Sequence, residues 1–392
     1  MRQPSRIGGI NSSVSTTHAQ LTDSQTREAE RWLHLAARAG LRAFGNAEPN
    51  PMVGCVIVKE NQLLAIGHHR NFGGLHAERD ALARCNELGH DPTGATAYVT
   101  LEPCCHHGKQ PPCTDALIEA GIARVIAARP DPAEESRGGF EILNDAGIET
   151  VFCDADPLAV SLADPFVHRL STGQPWVIAK WAQTLDGKVA TRTGQSQWIS
   201  GPECRHRVHQ LRGRVDAILT GIGTVLADDP MLNARTRQPR RVARRVVVDT
   251  TLRTPTDCNL VRTAGEIPVT IYAGVDENPK IEELTSRGVE VVEGPGVRPE
   301  LRGVLEDLHT RHKVSTVLVE AGPTLLGAML EADLIDQAVV HLAPMVVGDA
   351  RARGAAEGRD VPEFSMAKRF VLQRSRRAGA DIELTYTRDR TS

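Results

Sequence analysis

The fold is decided by Thr100-Leu101-Glu102-Pro103-Cys104-Cys105-His106-His107-Gly108-Lys109-Gln110-Pro111-Pro112-Cys113, read together with His76-Ala77-Glu78 upstream. His76, Cys104 and Cys113 offer one imidazole and two thiolates, a soft-to-borderline donor set suited to tetrahedral zinc with the fourth position left for water. An open fourth position marks a catalytic site. Glu78 stands two residues from a ligand, awkward as a fourth donor but able to exchange protons with a metal-bound water. The rival reading is a structural zinc whose shell is closed by Cys105, His106 or His107; Glu78 favours catalysis, because a structural site has no use for it. Cys55, Cys85, Cys153, Cys204 and Cys258 read as isolated thiols without a metal.

Working outward, apolar spacing predicts a helix from Ser24 through Trp32, Leu33, Ala36 and Leu41, with Gly45 as a stop. Strands are expected over 53–58, 63–67, 97–101, 124–128 and 149–152, and helices over 77–88, 114–120 and 140–146. This alternation implies a mostly parallel sheet covered by helices on both faces. Residues 1–22 are Ser-, Thr- and Gln-rich without periodicity and read as a mobile arm, so the first domain spans 23–170. The turn-prone Ser171-Thr172-Gly173-Gln174-Pro175 marks a boundary, and a second α/β domain covers 175–392. Its strands are expected over 176–181, 215–220, 245–249, 269–272, 314–320 and 337–342.

Composition narrows the function classes. The 392 residues carry 46 Lys+Arg against 49 Asp+Glu, a formal charge of −3, which argues against a general nucleic-acid or anionic-membrane binder. No window approaches the ~20 apolar residues of a membrane span, and no signal-peptide core is present, so a cytoplasmic protein with reduced thiols is expected.

His-x-Glu followed by Pro-Cys is the signature of zinc nucleobase deaminases, in which the second cysteine usually follows after two residues. Here eight intervene. With Pro49-Asn50-Pro51-Met52-Val53-Gly54-Cys55-Val56-Ile57-Val58, the motifs resemble the deaminase half of the bifunctional riboflavin-biosynthesis deaminase/reductase family, which shows this longer spacing. The resemblance implies a cytidine-deaminase-like αβα zinc domain in which Asn50 and His69 meet the pyrimidine or ribose, and Lys109 and His106 the 5′-phosphate. On base rates alone Lys109 reads more readily as a solvated surface lysine. The chain departs from the family pattern at Cys105, where a serine is expected, and at Asp131-Pro132-Ala133-Glu134-Glu135, where Asp-Pro-Asn-Pro is expected.

The second half carries Lys180-Trp181-Ala182-Gln183-Thr184-Leu185-Asp186-Gly187-Lys188, Gly194-Gln195-Ser196-Gln197-Trp198-Ile199, residues 221–230 and Glu320-Ala321-Gly322-Pro323-Thr324-Leu325-Leu326-Gly327. A Gly-Pro turn opening a helix suits a phosphate, though alone it reads as a plain turn. No Gly-x-Gly-x-x-Gly of the Rossmann kind is in place. In order, the four stretches resemble the same family's reductase half, a dihydrofolate-reductase-like α/β domain that uses NADPH. By that resemblance Ala182, Ser196, Trp198, Thr224, Asp228 and Gly322, Pro323, Thr324, Leu325, Leu326, Gly327 and Ala328 line the NADPH site. Lys180, Arg212, Leu232, Arg235 and Glu320 meet the ribosyl substrate. Arg212 and Arg235 read as phosphate forks or as solvated arginines; Glu320 reads as an acid or as a helix N-terminal carboxylate. The expected enzyme deaminates a pyrimidine ribotide and then reduces its ribosyl group, with zinc and NADPH, as a homo-oligomer joined through the reductase half. A deaminase with an inactive reductase-like module and a non-catalytic zinc scaffold are the alternatives.

Overall fold

The computed structural model describes residues 21–274, 278–294 and 298–390. The expected mobile arm, apart from Leu21 and Thr22, lies outside the described residues. Helix α1 (Asp23–Gly40) is capped reciprocally by Thr22 and Gln25 and buries Ala29, Trp32, Leu33, Ala36 and Ala37. It presses on β1 (Gly54–Lys59) so closely that a Cβ on Gly54 would stand 1.8 Å from the Ala36 carbonyl oxygen. Glu60 and Asn61, both at positive φ, turn β1 back into β2 (Gln62–His68). Helices α2 (Ala77–Glu87), α3 (Cys113–Glu119) and α4 (Gly139–Asp145) then alternate with β3 (Thr96–Val99), β4 (Arg124–Ala127) and β5 (Glu149–Phe152).

The sheet order is β2-β1-β3-β4-β5. The first sheet is mixed: four of its five strands run the same way, as expected, and β1 alone is reversed, antiparallel to both β2 and β3, while β3, β4 and β5 pair in parallel. The two-residue turn at Glu60-Asn61 makes β1 and β2 a hairpin, and pairing with β3 on its other edge then seats β1 inside the sheet with β2 at the border. Apolar side chains pack on both faces, those of Ile57, Ala81, Val99 and Leu117 on one and those of Leu33, Val56, Tyr98 and Ile126 on the other.

Helices α5 (Pro157–Ser161) and α6 (Asp164–Thr172) lead to β6 (Trp176–Gln183). There follow β7 (Lys188–Ala190), α7 (Pro202–Arg212), β8 (Ala217–Gly221), α8 (Ile222–Asp228), β9 (Arg244–Val248), α9 (Asn259–Arg262), β10 (Val269–Ala273), α10 (Pro279–Ser286) and β11 (Val289–Glu293). The chain ends through α11 (Leu301–His312), β12 (Thr316–Val319), α12 (Pro323–Glu331), β13 (Gln337–Leu342), β14 (Arg353–Gly354), β15 (Phe370–Ala378) and β16 (Asp381–Arg388). Nine strands form one sheet in the order β11-β10-β9-β8-β12-β6-β13-β16-β15. It is parallel from β11 to β13 and closes with the antiparallel β15-β16 hairpin. All six strands expected here are present. β7, β11, β14, β15 and β16 were not among the individual strands expected: β7 and β14 are very short and β15 carries three arginines, although Ile382, Leu384 and Tyr386 of β16 alternate strictly.

Two sets of polar contacts among the described residues help to join the halves. Arg240 and Arg241, ahead of β9, reach across to the segment that carries Asn50: Arg240 donates to the Arg42 and Phe44 carbonyls, and Arg241 to the Gly45 and Glu48 carbonyls. Arg241 also pairs with the buried Glu48 carboxylate and with Asp216. On the far side, buried Asp336 accepts from the Val177 backbone at 2.7 Å and from Arg390 at 2.6 Å, with His168 of α6 at 3.6 Å. Breaking a largely buried pair leaves an uncompensated charge, so Arg241→Ala is expected to cost about 3 kcal/mol in urea denaturation, whereas Arg298→Ala serves as a surface control without loss.

Candidate active sites

The first site assembles where strand β3 ends and two helices begin. His76 is the N-cap of α2, Cys113 is the first residue of α3, and Cys104 follows β3. The Cys113 and Thr114 N–H groups donate to the Cys104 carbonyl at 3.1 and 3.3 Å, locking the two cysteines together. His76 Nδ1 lies 3.4 Å from each sulfur, and all three ligand atoms lie within 4.8 Å of one another. Tetrahedral zinc with bonds of about 2.3 Å to sulfur and 2.0 Å to nitrogen sets S···N at roughly 3.5 Å, so the donors fit. Cys105 points elsewhere, donating to the Ser136 and Arg137 carbonyls, and His106 meets Ser136 Oγ at 3.1 Å. Among the described residues the group therefore has three ligands, which goes against a closed structural shell.

Electrostatics suit this set. A hydrogen bond from Cys113 and the nearby His76 pull Cys104 down to about 4, while the same shared proton and burial push Cys113 up. A divalent cation would release that proton. Glu78, 3% exposed, is pushed up to about 7 by burial and then by the Cys104 sulfur, in the range suited to passing a proton near neutrality.

A cavity of about 250 Å³ opens over Glu78 and holds Asn50, His69, His106 and Lys109. His69 Nδ1 faces the Leu75 carbonyl at 2.9 Å, and Nε2 faces Asn50 Nδ2 at 3.2 Å. Burial keeps this imidazole below its ordinary value, so Nδ1 carries the proton and Nε2 accepts from Asn50. The Asn50 carbonyl oxygen is thereby left for a ring or amino N–H. Lys109 sits 3.7 Å over the Phe72 ring, without a carboxylate partner among the described residues. Two buried carboxylates in this cavity wall, Glu102 and Asp131, were given no role by the sequence reading. Asp131, flagged only within a family departure, is buried and pushed up to about 6 by desolvation and then by Glu102, even though the Ala133 N–H it accepts works against this. Glu102 accepts the N–H groups of Asp131 and Phe140, both at 3.1 Å, and so fixes the loop that walls the cavity. No spacing rule would have singled out either.

In the second half the candidate residues gather at the carboxyl ends of β6, β8 and β12, where ligands bind in open α/β sheets. Gly322 is the N-cap of α12 and Gly221 that of α8; neither helix has a side-chain cap, so both present free N–H groups. A Cβ on Gly322 would come within 3.9 Å of Thr224 Oγ1, which brings the two helix starts side by side. Asp228 accepts from Gln197 at 3.1 Å and ties in the loop of Ser196 and Trp198, whose indole is 67% exposed. Ala182 lies near the end of β6. These groups fit a pyrophosphate with a flat ring beside it.

Some expected contacts take other roles. Leu326 is buried in the core under α12, and a Cβ on Gly327 would stand 1.9 Å from the Glu357 carbonyl oxygen. Their part is packing, while Pro323 is buried and Thr324, Leu325 and Ala328 are at least partly accessible. Leu232, at positive φ, buries its side chain in the core and offers only backbone. Arg235 is exposed, its N–H donating to His209. Arg212 is neither solvated nor a free phosphate fork: it grips Glu320 at 2.6 and 2.9 Å. Glu320 lies ahead of the α12 cap rather than in its first turn. Burial alone would raise its pKa, but Arg212 and then Lys180 outweigh it and hold the carboxyl below its ordinary value. It is thus a carboxylate, not an acid. Burial draws the Lys180 ammonium down, against the pull of Glu320.

Residues 26–129 match the family model for the cytidine and deoxycytidylate deaminase zinc-binding region, and residues 175–384 the RibD C-terminal domain. The riboflavin biosynthesis protein RibD of Actinobacillus pleuropneumoniae is 40% identical over 365 residues, covering 91% of this chain and 94% of that relative. That of Escherichia coli (strain K12) is 37% identical over 366 residues, covering 90% and 97%. Among solved structures, Acinetobacter baumannii RibD (form 2) superposes with a TM-score of 0.69 at 35% identity, covering 93% of this chain and 99% of that one. A Thermotoga maritima diaminohydroxyphosphoribosylaminopyrimidine deaminase/5-amino-6-(5-phosphoribosylamino)uracil reductase gives 0.75 at 29% identity, with the same coverage. With a zinc-binding deaminase region followed by an NADPH-using reductase region, this chain belongs to the RibD family of bifunctional riboflavin-biosynthesis enzymes.

Proposed function

We propose that the protein deaminates 2,5-diamino-6-(ribosylamino)-4(3H)-pyrimidinone 5′-phosphate and then reduces the ribosyl group of the product to ribityl. The observation that carries this is a three-ligand soft site with a buried carboxylate beside it, on the same chain as paired, uncapped helix starts. We assign the deamination to residues 23–170 and the reduction to residues 175–392.

His76, Cys104 and Cys113 hold zinc. When bound, zinc lowers the pKa of a water in its open position to about 7 and so supplies a nucleophile at neutral pH. Glu78 takes a proton from the attacking water and delivers it to the departing amine. The Asn50 carbonyl, fixed through His69, orients the pyrimidine, and Lys109 with His106 receives the 5′-phosphate. In the second domain Ser196, Trp198, Thr224, Asp228 and the start of α12 orient NADPH, which supplies the hydride. Glu320, held by Arg212, orients the open ribosyl chain, and Lys180 stands ready to give the accompanying proton. The exposed apolar Val371, Leu372 and Ile382 on the β15-β16 hairpin support a homo-oligomer through this domain. All eight cysteines are free, and no helix among the described residues is long and apolar enough to cross a membrane, which supports a cytoplasmic enzyme that takes small-molecule substrates rather than nucleic acid or membrane.

A coupled assay on the ribotide tests the reading. Glu78→Gln is expected to keep stoichiometric zinc yet lose ammonia release by roughly 10²–10⁴-fold, with NADPH oxidation on pre-deaminated substrate unchanged. Ammonia without NADPH oxidation would mean an inactive reductase module, and neither signal despite bound zinc would mean a scaffold. Cys113→Ser is expected to lose zinc by elemental analysis and, with it, only the first reaction. The depressed pKa of Glu320 sets a third expectation. Its contribution to stability is complete above the ordinary carboxyl value of 4.5 and is lost as the pH falls through the lower folded value. Urea denaturation should accordingly show Glu320→Gln less stable than wild type at pH 5–7, with the gap closing below pH 4; a gap that widens in acid would refute the ion pair.

A further inference from the structure

Neither catalytic site accounts for a cavity of about 300 Å³ at the joint between the domains. Its floor is the face of the nine-stranded sheet that carries Ile178, Val339 and Thr385; α7 forms one wall, and Phe44, Met52 and Pro165 of the deaminase domain form the other. Lys180 and His341 close the end beneath the reductase site. The volume is at the lower end of the ~300–1,000 Å³ typical of small-molecule sites.

The charges lining it do not balance. Lys180, Arg207, Arg214, Arg374 and Arg376 face a single carboxylate, Glu383. Arg207, Arg374 and Arg376 approach the same Glu383 oxygen at 3.8, 3.7 and 3.6 Å, and Lys180 already answers Glu320. Arg214 has no carboxylate within ion-pair distance among the described residues. Burial and the neighbouring guanidinia lower the pKa of both Arg214 and Arg374, the sign of crowded positive charge. A second observation is independent of the arginines: His341 is 1% exposed, its Nε2 is 3.4 Å from Glu383, and its buried Nδ1 has no partner among the described residues. Arg374 and Arg376 are 45% and 41% exposed, so solvent and a ligand can both reach them, and planar guanidinium forks match a phosphate. The apolar wall opposite suits the body that the phosphate would carry.

We propose that this cavity binds a phosphomonoester on an apolar or heteroaromatic body, seated between the deaminase and reductase domains. It is separate from the Lys109 cavity and shares only Lys180 with the reductase site, Arg212 and Glu320 not being in its lining, and the proposal does not depend on the assigned reactions. The ligand is either the enzyme's own phosphorylated intermediate in transit or a separate effector.

Full-length, zinc-loaded protein titrated calorimetrically with phenyl phosphate tests it, with phenol and inorganic phosphate as partial ligands. One saturable event is expected, tighter than with either partial ligand. Arg374→Gln/Arg376→Gln should weaken it at least tenfold, the double lysine replacement should restore most of it, and Lys109→Ala or saturating NADP should leave it unchanged. Arg214→Gln alone serves if the double variant does not fold. Absence of saturable binding, binding indifferent to the arginines, or binding removed by Lys109→Ala or NADP overturns the proposal. A lag in NADPH oxidation in the glutamine variant, with both half-reactions at full rate, identifies the intermediate as ligand. A wild-type rate shifted by phenyl phosphate, with no lag in the variant, identifies an effector. If phenyl phosphate fails to bind, the catalytic assignments still stand or fall on ammonia and NADPH alone.

Discussion

Three soft donors from three separate elements must converge within one coordination sphere, and much of the first domain is arranged around that requirement. Cys104 and Cys113 are held by backbone hydrogen bonds across the mouth of α3, while His76 stands at the N-cap position of α2, its carbonyl accepting from the Asp80 N–H. Both helix starts face the donors, and the positive ends of their dipoles favour thiolate over thiol. Glu78, in the first turn of α2, is buried by the same packing that places His76. Its raised pKa is therefore a consequence of the architecture and needs no separate device. Glu102 extends the arrangement outward, because its buried carboxylate ties the loop after β4 to the strand end that presents Cys104.

The second domain solves a different problem with the same architecture. Parallel strands end in glycine-started helices, which leave N–H groups free at the edge where a dinucleotide would lie. A bidentate ion pair then sets the charge of the neighbouring pocket. Because Arg212 grips Glu320, neither can be understood as an isolated acid or phosphate fork, and Lys180 sits in the field of both. Pairing decides which protonation states are present, and those decide what chemistry is open.

The domains are also mechanically joined. Arg240 and Arg241 of the reductase half hold the 42–48 segment, and Asn50 follows directly upon it. The position of a deaminase-cavity residue is thus fixed partly by the other domain. The cationic cavity lies along the same joint, bounded by Met52 and Pro165, chain neighbours of Val53 and Phe166 in the deaminase cavity wall. A ligand there would touch elements common to both sites.

By itself the sequence determined the donor types, the two-half organisation and the elements nearest the motifs, because zinc chemistry constrains residue identity and strand-helix periodicity is local. The six strands of the second sheet with dense Val, Ile and Leu runs were legible for the same reason. Tertiary structure alone decided the antiparallel seating of β1, the hairpin at 370–388, the core roles of Leu232 and Leu326, and the embrace of Arg212 and Glu320 across 108 residues. It alone brought Glu102 and Asp131 into the cavity wall and gathered arginines from α7 and β15 around one glutamate. Spacing along a chain carries information over a turn or a strand; charge balance and burial depend on what the fold places opposite, and no local pattern encodes that.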